Sequence, residues 1–322
     1  MTTPAPGQPE TGPEAGPETG FEAGPPADGT SGAGGVPTCY RHPGRETYVS
    51  CSRCGRPACP DCLRAAPVGQ QCLDCVHGRS PEAGPQARQP RTAFGGRVTT
   101  GATVTWSLVG INVLLYLAVL VRPSIATNLE MVGHASDGRG NAIGVGAGQW
   151  YRLLTSAFVA PSGGTFGFAD ILFNMWALIV VGPQLEHMLG RVRFLAVYLL
   201  SAIGGGVFLY YLVPPNQAAL GASGAVFGLF GAWFVVSRKM RLDSRGILFL
   251  IAINLGLGFV VSGIAWQDHI GGLITGALIT AAYAYAPKTH RFLVQAAATA
   301  GMLAILIAAT ALWSVHLGLP AF

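Results

Sequence analysis

From Val104 onward, apolar runs alternate with short breaks that are charged or rich in glycine. Seven of these runs approach the ~20 residues a bilayer core requires: about 104–121, 169–185, 193–213, 222–237, 246–263, 267–286 and 292–317. The pattern predicts seven membrane-spanning helices, with the fourth and fifth short or glycine-rich and therefore buried in a bundle. Gly204–Gly206, Gly224, Gly228, Gly272 and Gly276 lie on the predicted helices. Small residues four apart let helices approach closely in lipid, although glycine is common in membrane helices in any case.

Composition agrees with this pattern. Only 11% of the residues are charged, against about 25% in soluble domains. No cleavable signal peptide is expected, because the first apolar run starts near residue 104. The net charge of +5 comes from basic loops beside the spans and forms no nucleic-acid patch. Arg191 and Arg193 follow the second span, Arg238, Lys239, Arg241 and Arg245 the fourth, and Lys288 and Arg291 the sixth. Arg88, Arg91 and Arg97 precede the first. The positive-inside rule then predicts a multi-pass protein of the cell membrane, N-terminus cytoplasmic and C-terminus outside. The loop 122–150, with Arg122 and Arg139, is a mild exception on the outer side.

The polar N-terminal third divides in three. Residues 1–37 repeat Pro, Gly, Glu, Ala and Thr, with no Lys or Arg; such a stretch buries too little surface to offset its ordering entropy, which predicts a disordered acidic tail. Residues 78–98 read as a flexible basic linker. Between them, 38–77 holds all seven cysteines. They fall into Cys39-x2-His42, Cys51-x2-Cys54, Cys59-x2-Cys62 and Cys72-x2-Cys75, with His77 spare. Each pair lets one turn present two donors to one metal, and eight ligands satisfy two tetrahedral Zn²⁺ ions. A disulfide framework fits an odd number of cysteines, on a reducing side, poorly. Both zinc ions are expected to be structural, supplying folding energy that so short a segment lacks. The segment resembles a B-box-type zinc finger. That resemblance implies a cross-brace, with Cys39, His42, Cys59 and Cys62 on one ion and Cys51, Cys54, Cys72 and Cys75 on the other. Such a module points to a cytoplasmic protein partner.

Candidate chemistry within the spans is sparse. Ser107, Ser201 and Ser262 are accounted for by bonds back to their own helices. Ser223 stands apart because Gly221, Ala222 and Gly224 remove bulk around its hydroxyl. His269 is an ionisable group in an apolar run, which marks function by default. His316, near the outer end of the last span, reads as interfacial. Spans four and six run in the same direction, and Ser223 and His269 each lie near the start of one. Both are expected roughly 5–10 Å below the outer surface, the depth match a Ser–His dyad requires. His269 would take the Ser223 proton, Ser223 would attack a peptide carbonyl, and His269 would protonate the leaving amine. Asp268 is expected to be an N-cap pointing about 100° away from His269. Phe227, one turn below Ser223, is positioned to pack on the imidazole.

Gly221-Ala222-Ser223-Gly224-Ala225-Val226-Phe227-Gly228 and Asp268-His269-Ile270-Gly271-Gly272 resemble the catalytic signatures of rhomboid intramembrane serine proteases. The stretch from Trp150-Tyr151-Arg152 to Phe158 is similar to that family's Trp-Arg element, and Leu172-Phe173-Asn174-Met175-Trp176 to its second span. The resemblance covers about 104–286. It implies an all-α polytopic fold, a six-helix rhomboid-like core to which 292–317 adds a seventh helix. It also implies Asn174 as an oxyanion donor with the Ser223 backbone N–H, and membrane-protein substrates with unstable transmembrane helices. The pattern departs from the family at Asp170, where a histidine is usual, and a carboxylate there would repel a developing oxyanion. The departure keeps open a rhomboid-like protein that binds membrane clients without cutting them. A transporter fits poorly, since the polar set sits near one face and the spans lack paired breaks.

Overall fold

The computed structural model describes residues 36–78, 91–97, 101–261 and 263–319. The chain divides into two compact units, one before and one after residue 88. The expected acidic tail lies almost wholly outside the described residues, as does most of the expected linker.

The first described unit is built around its cysteines. Two short antiparallel hairpins form it: β1 (Thr38–Cys39) with β2 (His42–Glu46), and β3 (Leu63–Ala65) with β4 (Gln70–Cys72). A one-turn helix, Leu73–Val76, follows. The unit's buried apolar residues are six of the cysteines with Ala58 and Leu63, and Tyr40 and Cys54 pack at the edge. That is too small an apolar core to hold such a unit without further staples.

The second unit is helical. Seven long helices are described: α1 (Thr103–Val121), α2 (Gly164–Leu189), α3 (Arg191–Leu212), α4 (Ser223–Met240), α5 (Arg245–Val260), α6 (Trp266–Tyr285) and α7 (Arg291–His316). Each lies on one of the seven predicted apolar runs. Helices α1, α2, α3 and α7 are long and apolar enough to cross a membrane by length and composition, and α5 is a shorter apolar helix. The outward faces of α1, α5 and α7 are lined with exposed Leu, Ile, Val and Phe, as lipid contact requires. Two further strands, Ala135–Ser136 and Ala142–Ile143, pair as a small hairpin in the loop between α1 and α2.

Helices α3, α4 and α6 form the centre, and glycines set their spacing. A side chain at Gly272 of α6 would fall on the backbone oxygen of Gly224 of α4, and one at Gly276 on that of Gly228. The contacts advance together along both helices, so α4 and α6 run parallel. On the α3 side, a Cβ at Gly271 would lie 2.6 Å from the Gly204 oxygen, and one at Gly204 would strike Thr275. Gly206 backs onto Leu153, where a Cβ would lie 2.8 Å from its oxygen. These glycines therefore belong to tight helix–helix contacts and are not merely membrane composition.

Glu186, near the end of α2, is fully buried. Its carboxylate accepts from the backbone N–H of Val104 (3.0 Å) and Thr105 (2.8 Å) and from the Thr105 hydroxyl (2.8 Å). It thereby serves the first turn of α1, whose own N-cap Ala102 offers no side-chain bond. Arg191 lies 3.7 Å away. Helix α7 is fastened to α3 and α6 by polar pairs: Tyr210 with Ser314 (2.9 Å), Tyr211 donating to the Ala309 oxygen (2.7 Å), and Tyr283 with Thr299 (2.6 Å). Residues 91–97, assigned by composition to the flexible linker, instead form a folded turn. Phe94 is buried in the helical core, and Arg291 and Gln295 of α7 donate to the Ala93 and Phe94 oxygens. One large apolar side chain in a polar segment was enough to anchor it.

Replacing Glu186 by Ala leaves three donors at the start of α1 without their acceptor. The expected cost is about 3 kcal/mol, with Glu186→Gln costing less, read as a lower unfolding midpoint in detergent with unchanged helix content in the folded state.

Candidate active site and metal centre

The elements that carry Ser223 and His269 meet at one end of the bundle. Gly221, at φ +138°, turns the chain into α4. Its N–H donates to the Ser156 oxygen (3.0 Å). Ala222 is the N-cap residue and Ser223 the first residue of the helix. On α6, His269 is the fourth residue and is buried. Its imidazole lies flat on the Phe227 ring, centroids 4.1 Å apart and planes within 7°. Its Nδ1 is buried without a hydrogen-bond partner and faces Gly258 of α5, where a Cβ would lie 3.7 Å away.

Asp268 behaves differently from expectation. It is not an N-cap: α6 starts earlier, with Ala265 as the capping residue. Asp268 thus sits inside the first turn, and the 100° between neighbouring residues puts it on one flank of α4 and His269 on the other. Ser223 Oγ donates to Asp268 Oδ2 at 3.3 Å. The carboxylate occupies the space that side chains at Gly205 and Gly224 would fill. The serine hydroxyl therefore rests on a carboxylate, and among the described residues no hydrogen bond joins it to His269.

Asn174 and Asp170 form a second polar pair. Asn174 Nδ2 donates to the Asp170 backbone oxygen (2.9 Å) and to Asp170 Oδ1 (3.0 Å), which occupies both hydrogens of its amide. Asp170 Oδ2 is buried without a partner. A Cβ at Gly221 would lie 3.6 Å from Asp170 Oδ2 and 3.6 Å from Ser223 Oγ, so Asp170 borders the same space. Two carboxylates, Asp170 and Asp268, flank the serine from α2 and α6. From sequence, Asp170 was placed at this site and Asp268 was read as a cap of α6.

Arg152, buried in a short helix (Arg152–Thr155), organises the loop beside the site. It donates to Gln149 Oε1 (2.7 Å) and to the backbone oxygens of Thr127 (3.0 Å) and Glu130 (2.9 Å). Trp150 packs half-buried against the core. Of the remaining candidates, Ser107 bonds back to the Thr103 oxygen (2.9 Å). Ser201 does not bond back, being buried against Gly228 without a partner. His316 is exposed and stacks on Trp313.

The cysteines gather into two clusters: Cys39, His42, Cys59 and Cys62, and Cys51, Cys54, Cys72 and Cys75. His42 Nδ1 lies 3.8, 3.4 and 3.5 Å from the sulfurs of Cys39, Cys59 and Cys62. The Cys54 and Cys72 sulfurs are 3.8 Å apart. The edge of a tetrahedron with 2.3 Å metal–sulfur bonds is about 3.8 Å, and a disulfide bond would be about 2 Å. The donor set and its spacing fit a tetrahedral metal in each cluster. Burial pushes the Cys39 and Cys51 thiols up, but hydrogen bonds from backbone N–H groups outweigh it and bring both to about 6, which favours the ligating thiolate at these two, whereas burial and neighbouring sulfurs push Cys62 up to about 11.

The Rhomboid domain profile matches residues 147–286. The chain is 37% identical over 195 residues to the rhomboid protease GluP of Bacillus subtilis, a match spanning 59% of this chain and 36% of that protein. It is 37% identical over 146 residues to the putative rhomboid protease YdcA of the same bacterium, covering 44% and 71%. With the rhomboid protease AarA of Providencia stuartii it shares 28% over 221 residues, 59% and 74%. The chain thus spans about a third of the first relative. These relatives carry protease names, which does not favour the non-cutting alternative. The profile match does not reach the cysteine-rich unit.

Removing the Asp170 side chain (Asp170→Ala) frees one Asn174 hydrogen and deletes a negative charge from the pocket. With Asn174 as the oxyanion donor that the family resemblance implies, fluorophosphonate labelling of the protein is expected to become faster by about tenfold, part of the 10²–10³ that one such donor contributes.

Proposed function

Because this chain belongs to the rhomboid family, we propose that it is an intramembrane serine endopeptidase in which Ser223 is the nucleophile and His269 the general base and acid. The observation that carries the reading is the pairing at one end of two parallel helices. A half-buried serine opens α4, and an imidazole is held flat on Phe227 from α6. Ser223 attacks the scissile carbonyl and its proton passes to His269, which returns it to the leaving amine. The hydroxyl must first leave Asp268 for His269. Asn174 and the Ser223 backbone N–H serve the tetrahedral oxyanion once Asn174 exchanges Asp170 for the substrate. Gly221 and Gly224 keep bulk away from the nucleophile, and Arg152 with Trp150 hold the adjoining loop.

The substrates are transmembrane segments of other proteins. A helix with all its backbone groups internally bonded offers no carbonyl for attack, so segments that unwind readily are preferred. The site faces outward, with the N-terminus in the cytoplasm and the C-terminus outside, a reading that the basic loops support. The cysteine-rich unit is a B-box-like module with two structural zinc ions in a cross-brace, each held by one of the two clusters. Its closed donor sets leave no position for catalysis, and it serves a cytoplasmic protein partner.

Three measurements test this reading. A fluorophosphonate probe should modify Ser223 in the purified protein. Ser223→Ala should lose labelling and cleavage of a helix-weak transmembrane reporter, and equal cleavage by that variant would reject the assignment. An Asp268→Asn variant holds the hydroxyl less tightly, since hydrogen bonds to ionised groups are roughly twice as strong as neutral ones. Its labelling should be faster; slower labelling would make Asp268 the proton acceptor itself. Metal analysis should find two zinc ions per chain. Chelation should unfold residues 38–77 while the helical unit keeps its far-UV signal, and metal-free protein with an unchanged N-terminal fold would refute the zinc assignment.

A further inference from the structure

At the opposite end of α4 from Ser223 lies a cavity of about 380 Å³ that the proteolytic reading leaves unused. Its wall comes from the folded turn 91–97, the last residues of α4, the end of α6 and the start of α7, including Phe94, Lys239, Tyr285, Lys288 and Arg291. Lys239 lies sixteen residues beyond Ser223 on one helix, or about 24 Å at 1.5 Å per residue. The two sites are therefore physically separate.

The charge at this cavity is one-sided. Lys239, Lys288 and Arg291 line it, and Arg193 approaches Arg291 across Gly95, where a Cβ would lie 2.7 Å from Arg291 Cδ and 3.7 Å from Arg193 Nη2. Among the described residues, none of these four cations has an ion-pair partner. Arg291 Nη1 donates to the Ala93 oxygen (3.2 Å), but its Nε is buried with no acceptor. Lys239 Nζ lies 4.3 Å from the centre of the Tyr285 ring, which keeps the ammonium beside the cavity. Cations brought together without a carboxylate repel one another, and a bound anion relieves that cost.

We propose that this cavity binds a phosphate-bearing anion, namely the headgroup of an anionic phospholipid or a free phosphate. A guanidinium and two ammoniums are the donor set that phosphate oxygens select. The apolar part of the wall, with Phe94, Met240 and Tyr285, suits the glycerol and first methylenes of a lipid better than a fully hydrated ion. Basic pockets between helix ends at the cytoplasmic level commonly hold such headgroups. The ligand would also tie the turn 91–97 to α4, α6 and α7, since Ala93 and Arg291 meet at the same wall.

The test uses the full chain in phosphatidylcholine nanodiscs with and without phosphatidylglycerol, read by native mass spectrometry as retained lipid. The comparison protein is the double variant Lys239→Gln, Lys288→Gln, which leaves Arg291 on Ala93. Wild type should retain phosphatidylglycerol over phosphatidylcholine, and the variant should bind it about thirtyfold more weakly at unchanged helix content. Millimolar inorganic phosphate separates the two sources. Displacement of the lipid assigns the site to phosphate in general, and no displacement assigns it to the lipid headgroup. Equal retention by wild type and folded variant overturns the proposal. Should the variant misfold, wild type decides alone: equal retention of the two lipids overturns it.

Discussion

Everything at the nucleophile depends on how closely α4 and α6 approach. Gly224 meets Gly272 and Gly228 meets Gly276 at backbone distance, a separation that any side chain would widen. At that separation the two helices run parallel with α6 starting several residues before α4, and Ser223 shares one pocket with residues of the first turns of α6. Lipid offers no hydrophobic reward for burying helix against helix. Close backbone contact, and the dispersion and polar contacts it permits, must hold the centre together. A methyl group at Gly272 would therefore disturb more than packing. It would move the imidazole relative to the serine.

The same closeness explains the placement of Asp268. A carboxylate in the middle of a helical bundle needs room and partners, and the missing side chains at Gly205 and Gly224 provide the room. Ser223 is one partner. Asn174 gives Asp170 a comparable anchor on the other flank. The site thus holds its serine and its amide on carboxylates, and the proposed mechanism exchanges both for imidazole and substrate. At the other end of α4, the cations around the 380 Å³ cavity face the opposite problem, positive charge without a counter-ion.

Much of the architecture was legible in the chain because apolar run length is a strong signal in membrane proteins. The seven long helices start and end within a few residues of the runs, except at the start of α2. Spacing grouped the cysteines into ligand pairs, and the cross-brace implied by the resemblance to a B-box matches the two clusters. What escaped were interactions between residues far apart in sequence. Glu186 serves an N-terminus some eighty residues earlier, and nothing local marks it. Asp268 looked like a cap because acidic residues favour helix starts. The helix begins three residues earlier, so the same residue points across to α4. The resemblance implied Asn174 as an oxyanion donor, but its engagement by Asp170 follows from helical spacing of four, a relation that could have been read in advance. Phe94 could likewise have been flagged as the one large apolar residue in its segment.

The most direct measurement is an experimental structure of the protein reacted with an active-site phosphonate in a lipid environment. The account predicts a covalent bond from phosphorus to Ser223 Oγ, with the His269 imidazole, still stacked on Phe227, within roughly 2.6–3.2 Å of the serine oxygen or its leaving position. An adduct on another residue, or a His269 ring turned out of that pocket while Ser223 is modified, would contradict it.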